Sequence, residues 1–189
     1  MTRIIAGNLG SLRLKAAAKA TRPTSDRVKE SVFSKLEYLE ALQGARVLDL
    51  FAGTGALGFE ALSRGAAALT AVEKNSQASA ILKENALLIE KALTNQGEAC
   101  KIQIVSQSAE KFLSTATGKE FDLVFLDPPY EYSNTELEKL LDVLKGQLAK
   151  GSLIVLERSS KSKLLTIGPL SVEDEKTYGD TKVWFLKTN

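Results

Sequence analysis

Asp127-Pro128-Pro129-Tyr130 places a carboxylate, a carbonyl and an aromatic ring within four residues. Two consecutive prolines fix the backbone so that the Pro128 carbonyl points outward, and neither proline offers a competing amide proton. Such a group suits an amine conjugated to a ring, the exocyclic amine of adenine or guanine. That amine is a poor nucleophile because its lone pair is delocalised. Two acceptors, the Asp127 carboxylate and the Pro128 carbonyl, can hold both N–H groups and redirect the lone pair. Tyr130 offers a face on which a base stacks, worth about 1–3 kcal/mol. A rigid turn closing a strand is the plainer alternative.

A second constellation lies upstream. Asp49-Leu50-Phe51-Ala52-Gly53-Thr54-Gly55-Ala56-Leu57-Gly58 holds glycines at the G-x-G-x-x-G spacing, and Glu73 follows Gly53 by 20 residues. An acidic residue there can accept hydrogen bonds from ribose hydroxyls. NAD and S-adenosylmethionine therefore compete, because both carry an adenosine ribose. Phe51 and Ala52 separate the strand from the first glycine, and Asp49 puts a carboxylate at the strand end. That carboxylate repels a pyrophosphate and suits the cationic amino group of a methionine moiety. The methyl donor is the favoured reading. Farther on, Ser108 can bond an adenine nitrogen or cap a helix beginning near Glu110. The expected cofactor-binding set is Asp49, Phe51, Ala52, Gly53, Thr54, Gly55, Glu73, Lys74, Ser108, Ala109 and Asp127.

These residues need elements to position them. Arg46 to Leu50 and Leu69 to Glu73 read as strands, as do Lys101 to Val105, Phe121 to Leu126 and Ser152 to Leu156. They are short apolar runs, as expected when both sheet faces are covered. Helical patterns alternate with them, through Leu57 to Leu62, Ala80 to Leu88 and Asn134 to Ala149. The pattern predicts an α/β, Rossmann-like fold with a mostly parallel sheet and helices on both faces. Val172 to Thr177 and Thr181 to Leu186 flank Tyr178-Gly179-Asp180, which predicts an antiparallel edge hairpin. Arg3 to Gly7 and Leu12 to Leu14 predict a small N-terminal β-hairpin. Ser25 or Asp26 can cap a following helix that carries Val28, Val32, Phe33, Leu36 and Leu39 on one face. We expect an N-terminal hairpin extension over residues 1–20 and a single domain over 21–189.

Composition narrows the chemistry. The 189 residues contain no histidine and one cysteine, Cys100. A Ser-His-Asp triad, a His-ligated metal and a thiolate zinc cage are excluded, and no metal is expected. No apolar run approaches the ~18 residues of a membrane span, and nothing marks export. The chain reads as cytoplasmic, with a monomer as the default. Its charge is uneven: residues 1–30 hold seven basic and two acidic side chains, whereas the whole chain carries +2. A basic N-terminus suits a polyanion, although a solvated basic arm is the bland alternative.

Together these motifs resemble the class I methyltransferase superfamily. More closely they resemble the RsmD family of bacterial ribosomal RNA guanine-N2 methyltransferases. Arg22-Pro23-Thr24-Ser25-Asp26-Arg27-Val28-Lys29-Glu30 matches that family's N-terminal signature, and Tyr178-Gly179-Asp180-Thr181 looks like its closing hairpin. The resemblance implies S-adenosylmethionine as methyl donor and a guanine of small-subunit 16S ribosomal RNA, in a partly assembled subunit, as substrate. It implies that Asp127, Pro128, Pro129 and Tyr130 are catalytic, and that Glu73 holds the cofactor ribose. Arg22 and Arg27 would lie near the site mouth, or else pair with Asp26 or Glu30. The family's basic turn is replaced here by Leu9-Gly10-Ser11-Leu12-Arg13, leaving Arg13, Lys15 and Lys19 to contact RNA. Adenine-N6 methylation of DNA or RNA is the enzymatic alternative, since the tetrapeptide serves both bases. A non-catalytic cofactor- or RNA-binding assembly factor is the alternative of another class.

Overall fold

A computed structural model describes residues 2–16, 26–116, 118, 120–129, 131–162 and 167–188. Nine strands and five α-helices follow in order among them. They are β1 (Thr2–Arg3), β2 (Arg13–Leu14), α1 (Asp26–Tyr38), β3 (Arg46–Asp49), α2 (Ala56–Ser63), β4 (Ala68–Val72) and α3 (Ser76–Asn95). Then come β5 (Lys101–Val105), α4 (Ala109–Thr115), β6 (Phe121–Leu126), α5 (Asn134–Leu144), β7 (Leu148–Ser159), β8 (Leu170–Tyr178) and β9 (Thr181–Thr188).

Seven strands form one sheet in the order β5-β4-β3-β6-β7-β9-β8. The first five are parallel, and β9 runs antiparallel to both neighbours. The expected Rossmann-like sheet and C-terminal hairpin are therefore present. The chain leaves β3 towards β4 and β5, then returns to place β6 on β3's other side. That reversal makes the β3/β6 pair the topological switch point, where open α/β sheets hold ligands.

Strand residues alternate between two cores, as period-two side chains must. Val47, Leu69, Leu123 and Phe125 face α1, α2 and α3, whereas Leu48, Val72, Val124 and Leu126 face α4 and α5. Two boundaries differ from expectation. The helix from Asn134 ends at Leu144, and β7 starts at Leu148 rather than Ser152. Leu148 already pairs with Phe121, and the register shifts between Phe121 and Leu123. Sheet pairing thus claims residues whose leucine spacing continued the helix.

The N-terminal hairpin has shorter strands than its sequence suggests: Thr2 pairs with Leu14 and Arg3 with Arg13, and Ile4 bonds the Leu12 carbonyl and the Ser11 amide beyond them. It forms its own two-stranded sheet, but Ile4, Leu9 and Leu14 are buried in the core beneath α1 to α3. Buried Glu60 on α2 fastens it, accepting the Ile5 and Ala6 amides at 2.7 and 3.0 Å. Glu60 also meets Arg64 Nε at 2.8 Å and Lys29 Nζ at 3.4 Å. Lys29 donates in turn to the Arg3 carbonyl. Burial pulls the Lys29 ammonium below its usual value, and the adjacent Glu60 carboxylate opposes that.

Removing one member of a buried ion pair leaves the other uncompensated, typically at a cost of about 3–5 kcal/mol. Glu60→Ala should therefore lower unfolding free energy by about that amount. Denaturant unfolding measures it, and an unchanged midpoint would refute the stabilising role of this cluster.

Candidate active site

The carboxyl ends of β3 and β6 bring the two sequence constellations together. Asp49 ends β3 opposite Phe125, and Asp127 follows β6 directly. Asp49 is buried, with 2% of its surface exposed, and Oδ2 accepts the Gly58 amide at 3.2 Å. Burial pushes its carboxyl up to about 7, the Gly58 amide opposes this, and the charges of Asp127 and Glu73 add to it. Asp127 keeps part of its surface open, yet desolvation pushes its carboxyl up to about 6. Three carboxylates thus lie near one another at the ends of β3, β4 and β6, where a sheet of this strand order opens its crevice.

The glycine loop between β3 and α2 wraps this crevice. Gly53 and Gly55 have φ of 55° and 91°, left-handed conformations that glycine adopts without penalty. A Cβ on Gly55 would lie 2.1 Å from the Phe59 ring, whereas one on Gly53 would meet nothing within 4 Å. Glu73 braces the loop: its carboxylate accepts the Gly53 amide at 2.8 Å and the Asn75 amide at 2.6 Å. Each oxygen keeps a lone pair for a further donor.

Aromatic and polar contacts join the loops after β3, β5 and β6. Phe51 meets the Tyr132 ring edge-on, with centroids 5.5 Å apart. The Tyr132 hydroxyl donates to Glu110 on the first turn of α4. Ser108 caps that helix, accepting the Lys111 amide at 3.3 Å, so the capping alternative is realised. The Pro129 carbonyl accepts the Tyr132 amide at 2.9 Å. Arg158 at the end of β7 donates to the Tyr132 carbonyl at 2.8 Å.

The chain matches the family model described as "Conserved hypothetical protein 95" over residues 2–187. It is 38% identical to YlbH of Bacillus subtilis, covering 98% of both chains. It is 35% identical to the "Ribosomal RNA small subunit methyltransferase D" of Haemophilus influenzae, covering 94% of this chain and 89% of the relative. The solved structure of yhhF from Escherichia coli superposes with a TM-score of 0.84 at 31% identity, covering 100% and 98% of the two chains. The chain belongs to the RsmD family.

On this RsmD fold, Asp49, Phe51, Ala52, Gly53, Thr54, Gly55, Glu73 and Asp127 all lie on the segments that end β3, β4 and β6. Ser108 and Ala109 begin α4 beside them, and Lys74 is exposed next to Glu73. Pro128 is buried and Pro129 exposed. Arg13 and Arg27 are exposed, on β2 and the first turn of α1. Asp26, suggested above as a partner for Arg27, pairs instead with Arg3 at 3.3 Å. Tyr130 and Arg22 lie outside the described residues.

Asn85, Glu60 and Arg158 escape motif reading. Glu60 and Asn85 nevertheless carry a signal, since each is a large polar residue at a core-facing position of a helix. A polar side chain there needs partners inside the protein.

A carboxyl whose folded value is raised binds its proton more tightly folded than unfolded. Its contribution to stability therefore falls as pH rises from 3.8 through about 6 for Asp127 and about 7 for Asp49. The protein should lose thermal stability between about pH 4 and about pH 7, and Asp49→Asn should flatten that loss. Melting temperatures of both proteins across the range test this. Parallel profiles would show that Asp49 does not titrate there.

Proposed function

We propose that this chain transfers the methyl group of S-adenosylmethionine to the exocyclic N2 amine of a guanine in small-subunit ribosomal RNA. The observation that carries the reading is the adjacency of Asp127, at the end of β6, to the Gly53–Gly55 loop and Asp49, at the end of β3. Three carboxylates around one crevice make a donor set for a cation. S-adenosylmethionine has two cationic centres, an ammonium and a sulfonium, and the residues fit it. In this reading Asp49 and the glycine loop take the methionine end, Glu73 takes ribose hydroxyls, and Ser108 and Ala109 flank the adenine.

The cofactor supplies an electrophilic methyl carbon on a sulfonium. The protein's task is then alignment and charge placement. Asp127 and the Pro128 carbonyl accept the two N–H groups of the guanine amine, and its lone pair turns towards the incoming carbon. The Asp127 carboxylate, ionised above about pH 6, then takes the proton that the methylated amine releases. No histidine is required. Pro129 fixes the carbonyl's direction, and Tyr130 stacks on the base. The base is extruded or already unpaired, because a stacked base cannot enter such a crevice.

Guanine rather than adenine rests on the Arg22-to-Glu30 signature and on relatives named for the small subunit. Arg13, Arg22 and Arg27 are the basic side chains that contact RNA in this reading. A partly assembled subunit is the substrate form in this reading, and the protein acts as a cytoplasmic monomer. Residues 1–20 serve as an RNA-facing arm on the catalytic domain, 21–189.

Labelled S-adenosylmethionine is incubated with naked small-subunit RNA, partly assembled subunits and DNA, and the modified nucleoside is identified. N2-methylguanosine is expected. N6-methyladenine would move the assignment to adenine, and cofactor binding without transfer to any of them would make the chain a binding module. Asp127→Ala should slow transfer by on the order of 10²-fold or more while leaving cofactor affinity largely intact. Unchanged turnover would remove the carboxylate from the mechanism.

A further inference from the structure

Asn85 sits in the middle of α3 and is fully buried. Its side-chain amide joins two distant segments. Oδ1 accepts the Lys15 amide at 2.9 Å, and Nδ2 donates to the Lys15 carbonyl at 3.0 Å. The same Nδ2 donates its other proton to the Thr54 carbonyl at 2.9 Å. One N–H and two carbonyls as partners leave the amide a single satisfied orientation.

Thr54 lies between Gly53 and Gly55, inside the loop assigned above to the cofactor. Lys15 directly follows the N-terminal hairpin and leads towards the 22–30 signature. An interior asparagine satisfying stray carbonyls would be unremarkable. Here, however, one NH2 group is shared between the arm and the loop, with no intervening residue. Other polar anchors of the arm come from α1, where Lys29 donates to the Arg3 carbonyl, from α3, where Glu84 pairs with the Lys15 ammonium at 2.7 Å, and from α2, the helix that the glycine loop opens. Glu60 accepts the Ile5 and Ala6 amides, and Ser63 Oγ accepts the Leu9 amide at 2.9 Å.

We propose that Asn85 is a positioning residue that couples engagement of RNA by the N-terminal arm to binding of cofactor by the glycine loop. The inference rests on the functional reading above. The Lys15 amide and carbonyl together orient one planar group, whose remaining proton goes to the Thr54 carbonyl. A shift of the arm rotates or withdraws that group and leaves the loop carbonyl without its buried donor. Conversely, an ordered arm holds the amide where the left-handed loop requires it. The coupling is reciprocal: RNA raises cofactor affinity by the factor by which cofactor raises RNA affinity.

Equilibrium dialysis measures the affinity for S-adenosylhomocysteine, which permits no turnover, with and without saturating, partly assembled small subunits that carry unmodified ribosomal RNA. For the unaltered protein, RNA should tighten binding by about fivefold or more. Asn85→Ala and Lys15→Pro, the latter lacking the amide proton, should each bring that factor close to one. Lys15→Ala keeps the amide proton and should keep the factor at a lower RNA affinity. Lys15 is exposed, so Lys15→Pro decides the matter even if Asn85→Ala does not fold. A factor of one in the unaltered protein, or an undiminished factor in Lys15→Pro, overturns the coupling. Failure of the unaltered protein to bind S-adenosylhomocysteine overturns the functional reading and the coupling with it.

Discussion

Parallel pairing of β3 with β6 sets two strand ends side by side where the sheet order reverses. The crevice follows from that pairing. With no neighbouring crossover above it, the switch point leaves loop backbone and strand-end side chains open to a ligand. Asp49 and Asp127 occupy those ends, and Glu73 ends the next strand along. Their proximity is unfavourable on its own terms, since like charges and desolvation both disfavour ionisation. Burial pushes the Asp49 and Asp127 carboxyls up to about 7 and about 6, so ionising either one where it stands carries an electrostatic strain.

The strain is tolerated because the surroundings are fixed independently of it. Strand residues feed two separate cores, and the glycine loop is held by Glu73 from below and by Asn85 from the side. Tyr132 and Arg158 hold the segment after Pro129 in the same manner. The candidate reactive residues thus hang from elements whose stability comes from elsewhere.

The N-terminal hairpin illustrates a different balance. Two residue pairs cannot stabilise a free hairpin in water. It persists by burying Ile4, Leu9 and Leu14 and by giving backbone amides to Glu60 and Ser63. Its exposed basic side chains then stand on a surface tied to the helices around the glycine loop. A basic arm fastened in this way differs from a solvated tail, because its displacement disturbs buried polar groups.

Much of this was legible in the sequence because it is encoded locally. Apolar strands alternating with helical spacing specify a parallel sheet covered on both faces. The glycine spacing after Asp49 specifies a left-handed loop that few other residues could adopt. Asp127-Pro128-Pro129-Tyr130 is rigid through its own prolines. Boundaries were less legible: the leucines near Leu148 fit a helix until pairing with Phe121 drew them into β7. Tertiary structure alone decided which charges meet. The sequence placed Lys29, Glu60 and Asn85 on helices, and nothing local says that Glu60 will receive the arm's amides or that Asn85 will reach both Lys15 and Thr54. Such contacts join residues 31 to 70 positions apart, and they exist only once the sheet has packed its helices together. The raised carboxyls have the same origin, because desolvation belongs to a place in the fold and not to a residue type.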